Sequence, residues 1–183
     1  MTTLENNRAV GEKVYNLIVR DRAHERTSEG LDSINLGEEY GCKNPLVHPG
    51  GPSILYKSVC YNSFKVIAHL EKDIDLAPHR EENGNTLLFA YFERESQIKA
   101  PFEMIDFLIN KGVDINALNN NKETALYYLF RIKNMINIWD FIDLLCKMKS
   151  LGASTDSVSV KGERAFASLV GTRYKKIYDL IWR

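Results

Sequence analysis

Phe102-Glu-Met-Ile-Asp-Phe-Leu-Ile-Asn-Lys-Gly112, followed by Val113-Asp-Ile-Asn-Ala117, decides how this chain reads. Ile105, Leu108 and Ile109 recur at helical spacing and form one apolar face. Gly112 falls just after them, where the end of a helix favours a residue that accepts left-handed backbone geometry. The stretch predicts an amphipathic helix closed by a glycine turn. One such helix cannot shelter its own apolar face, so it needs neighbours of the same kind.

The chain supplies them. Trp139-Asp-Phe-Ile-Asp-Leu-Leu145 runs on to Gly152-Ala-Ser154, and Phe64-Lys-Val-Ile-Ala-His-Leu70 runs into Asp73-Ile-Asp75 without the glycine. A shorter phrase alternates with these helices. Gly51-Pro-Ser-Ile-Leu-Tyr56 returns as Gly84-Asn-Thr-Leu-Leu-Phe89, then as Lys122-Glu-Thr-Ala-Leu-Tyr127, and weakly as Gly162-Glu-Arg-Ala-Phe-Ala167, at offsets of 33, 38 and 40 residues. Each unit reads as turn, short helix, loop, longer helix, extended turn, and a repeat of this length signals a stack of helical pairs. The longer offsets imply stretched helices or insertions near Arg94–Pro101 and Ile132–Ile138.

These phrases resemble ankyrin repeats, whose signature opens G-x-T-P-L-H and closes L-L-x-x-G-A-D-x-N. The opening matches at Gly84, Thr86 and Leu88, the closing at Leu108, Ile109, Gly112, Asp114 and Asn116. The resemblance covers roughly residues 51–183, with two good repeats and two degraded ones. It implies an all-α, ankyrin-like stack of about three to four divergent repeats. Residues 1–50, an N-terminal helix and a Gly/Pro-rich loop, are expected to cap one end of residues 51–183, which end in a capping helix. The family's proline is replaced by Ile54, Leu87 or Ala125, and its histidine by Tyr56, Phe89 or Tyr127. In the family that Thr and His build a hydrogen-bond network between turns; aromatic rings here would substitute packing.

The resemblance further implies a concave face that binds another protein, and no active site. By the motif, Lys57 and Tyr61, Ala90 and Arg94, and Tyr128 and Ile132 point toward that partner. Tyr and Arg are favoured at interface hot spots; Tyr61 and Tyr128 read equally well as half-buried packing residues. The turn tips, Ala77–Asn83 and Leu118–Asn121, are the other expected contact surface, with His79, Arg80, Asn119 and Asn120 as candidates. The run His79 to Glu82 also reads as a solvated turn.

Composition bounds the rest. The chain has 183 residues, 44% of them hydrophobic, enough for a continuous core, and 24 basic residues balance 24 acidic ones. That balance argues against a general nucleic-acid binder. Charge is uneven locally: residues 71–106 hold nine acids and four bases, and residues 161–183 six bases and two acids. This can steer a partner or be ordinary solvated surface, since salt screens exposed charges over about 10 Å. No stretch nears the roughly 18 apolar residues of a membrane span, and residues 1–8 lack the apolar core of a secretion signal.

Cys42, Cys60 and Cys146 are odd in number and widely spaced, which suits a reducing cytoplasm better than a disulfide framework. Cys60 and Cys146 read as small core residues. His24, His48, His69 and His79 have no metal-ligand spacing, so neither metal nor cofactor is expected. Residues 5–25 have helical periodicity, whereas 27–52 are rich in glycine and proline. Cys42 and His48 share that loop, with Glu38 and Glu39 nearby, but nothing positions an orienting group for catalysis. Tyr174, Ile177, Tyr178, Leu180, Ile181 and Trp182 predict a final helix that seals the array or docks elsewhere.

The expected function is a non-enzymatic protein-binding module, monomeric or in a heterodimer. Size and drifting repeats favour an inhibitor of the immunity type, neutralising a toxin or enzyme. A host-directed effector or adaptor, a homo-oligomeric scaffold and an enzyme built on the Cys42/His48 loop stand as alternatives.

Overall fold

The computed structural model describes residues 50–93, 98 and 102–182. The N-terminal helix, the glycine-rich loop up to His48 and Arg94 lie outside them. The described residues form seven α-helices, in order α1 (Ile54–Cys60), α2 (Phe64–Leu70), α3 (Leu87–Phe92), α4 (Glu103–Asn110), α5 (Ala125–Arg131), α6 (Ile138–Ser150) and α7 (Arg173–Trp182). Two 3-10 turns, Lys133–Met135 and Ala165–Leu169, complete the set, and among the described residues no strand forms beyond one bridge between Val158 and Arg164.

Helices of six to eight residues are too short to persist alone in water. Tertiary packing holds them. The short helices form an inner row in which α1 packs on α3, α3 on α5, and α5 on the 3-10 turn Ala165–Leu169. Ile54, Leu55, Leu87, Leu88, Phe89, Leu126, Leu129 and Phe130 are fully buried along this row. The longer helices pair with the inner ones and with each other: Phe64 of α2 meets Phe107 of α4 edge to face at 5.6 Å, and Phe141 of α6 meets Tyr174 of α7 at 5.0 Å.

Helix ends follow the sequence closely. Gly112 takes φ +84° and closes α4, with its N–H donating to the Ile109 carbonyl and that of Val113 donating to Leu108. These are the two bonds of a Schellman cap. Gly152 repeats them after α6, and Asn62, at φ +58°, does the same after α1. The extra residues of the third unit go into the 3-10 turn Lys133–Met135 and into α6, which runs 13 residues.

The fourth phrase departs most. It makes a five-residue 3-10 turn in place of an inner α-helix, and α7 covers the end of the stack through buried Tyr174 and Tyr178. Leu180, from the predicted apolar set, is 85% exposed. Cys60 is buried as expected, but Cys146 is exposed. It falls outside the Phe141, Leu144, Leu145 and Met148 stripe that α6 turns inward.

The turns between units are built alike. Glu81, Asn119 and Ser159 each donate a backbone N–H to the carbonyl of the residue four further on, Asn85, Glu123 and Glu163. Successive tips are joined: the Asn120 N–H donates to Asn83 O and that of Val160 to Asn121 O, at 3.0 and 2.9 Å. Gly84, at φ +80°, sits under this junction, and a Cβ there would lie 2.8 Å from the Asn120 nitrogen. Tip and inner row therefore form one rigid edge.

Candidate functional site

The face made by the inner helices and turn tips carries most of the polar residues the sequence singled out. Its centre is a ladder of buried amides. Asn85, fully buried, donates from Nδ2 to the Tyr56 hydroxyl at 3.2 Å and to Glu93 Oε1 at 3.1 Å. Its Oδ1 accepts from Asn119 Nδ2 at 3.0 Å. Asn119 Oδ1 accepts in turn from the backbone N–H groups of Asn121 and Glu123, at 2.9 and 3.0 Å. Ser159 Oγ does the same for Lys161 and Glu163 with longer bonds of 3.3 and 3.4 Å. Such a ladder satisfies groups whose burial would otherwise cost heavily.

Aromatic residues replace the family's histidine only partly by packing. Phe89 contacts the Tyr128 ring edge to face at 5.1 Å. Tyr127, however, donates its hydroxyl proton to Glu163 O at 2.5 Å, and Tyr56 accepts from Asn85. A phenol reaches the next turn as well as an imidazole does, so the hydrogen bond moves to the ring's far end. The threonines lose their partner in the exchange: Thr86 Oγ1 and Thr124 Oγ1 are buried with no hydrogen bond among the described residues. Thr124→Val, an isosteric change that forfeits no bond, should leave stability unchanged or raise it by up to about 1 kcal/mol. A urea midpoint shows this directly; a loss beyond about 1 kcal/mol would mean the hydroxyl has a partner.

At the first unit, Glu81 takes three bonds. It accepts from Ser53 N at 2.9 Å, Ser53 Oγ at 2.6 Å and His79 Nε2 at 2.9 Å. Burial alone would push its carboxyl up, but the bonds from His79 and Ser53 outweigh burial and hold it below the usual range. Ser53 Oγ also caps α1, accepting from Tyr56 N at 3.1 Å. Serine, histidine and carboxylate are thus together, but not wired for nucleophilic catalysis. The same Nε2 faces Glu81 and, at 3.4 Å, Ser53, while the serine gives its proton to the carboxylate. The arrangement ties α1 to the first tip.

The predicted contact residues divide. Lys57 is half-buried on α1, and Arg80 and Asn120 are exposed at the tips. Arg80 folds back on the carbonyls of Ala77 and His79, at 3.3 and 2.9 Å. Asn120 donates to Glu82 O at 2.9 Å. Tyr61, Tyr128 and Ile132 are half-buried and packed against the core, and Arg131 lies 5.5 Å from the Tyr128 ring centre. His79 is committed to Glu81 rather than solvated. Asn119 is buried inside the ladder, not presented at the tip. Ala90 is fully buried rather than presented to a partner. Among the described residues no cluster of histidine, cysteine and acids is arranged to hold a metal.

Sequence reasoning missed Ser53, Asn85, Glu93, Glu123 and Arg131, and placed Glu81 only within the first turn tip. One signal was available: Asn85 and Glu123 hold the same place in successive phrases, as do Glu93 and Arg131, and polar residues recur there beside buried ones. The tips also carry a pattern of exposed apolar residues, Leu118, Val158 and Val160, toward the later units.

Among the described residues, a row of stacked helical pairs with zipped turn tips defines a helical-repeat scaffold. Residues 88–138 match the family model of ankyrin repeats (many copies), and the fold of the described residues is that of an ankyrin-repeat domain. The crystal structure of the ankyrin repeat domain of Bcl-3, described as a unique member of the IkappaB protein family, superposes with a TM-score of 0.55 at 16% sequence identity, covering 73% of this chain and 53% of that one. This chain thus spans about half the length of that structure. Among curated proteins there is no match. Among the described residues no helix is long and apolar enough to cross a membrane.

Proposed function

We propose that this stack is an inhibitor of the immunity type, which neutralises one partner protein, a toxin or an enzyme, in a tight one-to-one complex in a reducing cytoplasm. The observation that carries the binding surface is the zipped row of tips. Their backbones are fixed to one another and to the inner helices, so little ordering entropy remains to be lost on association. Exposed Leu118, Val158 and Val160 offer desolvation, and the polar first tip offers orientation.

The test has two parts. The chain is used as bait in lysate of its native cell, and the activity of a captured protein is measured against added chain. A stoichiometric loss of that activity is the expected result. Leu118→Asp with Val160→Asp should abolish capture and leave the circular dichroism unchanged, since both side chains are exposed. Capture that survives the pair would move the interface off the tips. Capture of a partner whose activity is untouched would favour the adaptor or effector reading.

A further inference from the structure

A cavity of about 610 Å³ opens beside the first tip, between the start of α1 and the turn His79–Asn83, with Glu93 on its wall. Its lining mixes Gly50, Gly51, Pro52 and the Tyr56 ring with the polar side chains of Ser53, His79, Glu81 and Glu93. Four carboxylates elsewhere in the stack face a lysine or arginine. Glu71 pairs with Lys111 at 2.7 Å, Glu123 with Arg131 at 3.6 Å, Asp179 with Lys175 at 2.5 Å, and Asp106 with Lys147. Glu81 takes Ser53 and the His79 ring, the latter at 2.9 Å, and Glu93 takes Asn85; neither pairs with a lysine or arginine among the described residues.

The exchange between units is visible position by position. Where the third unit has Glu123 answered by Arg131, the second has neutral Asn85 and the acid Glu93. The nearby cations leave this unresolved. Arg80 is turned onto backbone carbonyls, and Lys57 forms no ion pair with either acid among the described residues. Burial pushes the Glu93 carboxyl up and the charge of Glu81 adds to it, only partly offset by the Tyr56 hydrogen bond and the charge of Lys57. A cation entering the cavity would relieve that cost.

We propose that this cavity receives a cationic side chain of the bound protein, a guanidinium or ammonium, held between Glu81 and Glu93. The fit is to an organic cation, since the described residues do not gather the ligands of a metal ion. This inference rests on the protein-binding reading and names what that partner presents to the first unit.

The probe is acetyl-Gly-Arg-Gly-amide, titrated into the ¹⁵N-labelled full chain, with the citrulline peptide as its neutral counterpart. Expected are saturable amide shifts at Ser53–Lys57, Glu81–Asn85 and Glu93. Glu93→Gln should weaken the arginine peptide about tenfold, the equivalent of one lost charge-assisted contact of about 1.4 kcal/mol, and citrulline should produce no saturable shift. The ¹⁵N spectrum of Glu93→Gln reports its fold in the same experiment. Equal shifts with citrulline, no saturation at the cavity, or an unweakened Glu93→Gln would each overturn the proposal. The two readings fail apart: a captured partner that binds Glu93→Gln undiminished overturns the cation site and leaves protein binding standing. Arginine binding in a chain that captures no protein overturns the assignment to a protein side chain.

Discussion

Phe130→Ala should lower the stability of the fold by about 3–5 kcal/mol, the range for removing a fully buried aromatic ring. Phe130 has no exposed surface and lies on α5, the inner helix on which the last unit rests. Its ring meets Tyr178 of α7 edge to face at 5.8 Å, and Tyr178 stacks in turn on Trp182 at 5.5 Å. Its carbonyl accepts from Lys133 Nζ at 3.3 Å and from Ser168 Oγ at 3.4 Å. The substitution therefore removes the floor under the cap as well as core volume. In a linear array each unit is held mainly by its neighbours, so the loss should appear first as release of α7. Trp182, half-buried in the packed cap, reports it: a fluorescence shift at lower urea than the main loss of helical signal is expected. A single coincident transition with less than about 1 kcal/mol lost would show that the ring is dispensable.

Asn119→Ala comes second, at about 2–4 kcal/mol. Truncation leaves the N–H groups of Asn121 and Glu123 without their acceptor and Asn85 Oδ1 without its donor, two of these three in buried residues. An unmade buried hydrogen bond costs about 1–3 kcal/mol, more than an exposed one returns. Asn119→Ser separates the two roles. A serine can accept from both backbone groups, as Ser159 does in the next turn, but cannot reach Asn85. It should recover roughly half of the loss. Urea midpoints of the two variants measure this. Identical losses would assign the whole effect to the link with Asn85, and no loss in either would show that the turn keeps its shape through backbone bonds alone.

The repeat frame, the places of the inner and outer helices, and the ends at Gly112 and Gly152 were legible from residue order. Helical periodicity and left-handed caps depend on residues within a turn or two of one another, and a stack repeats that local message. Its departures were legible in part, since the extra residues near Ile132–Ile138 became a 3-10 turn and a longer α6. The long-range polar contacts were not. Ser53 meets Glu81 across 28 residues, and Asn85 meets Asn119 across 34. Only the register of one unit on the next brings these together. The same register buries Asn119 and Ala90 and, among the described residues, leaves the Thr86 and Thr124 hydroxyls without partners. It also shapes the cavity by Glu81 and Glu93, because a side chain's burial and charge environment are set by the neighbouring unit and not by its own.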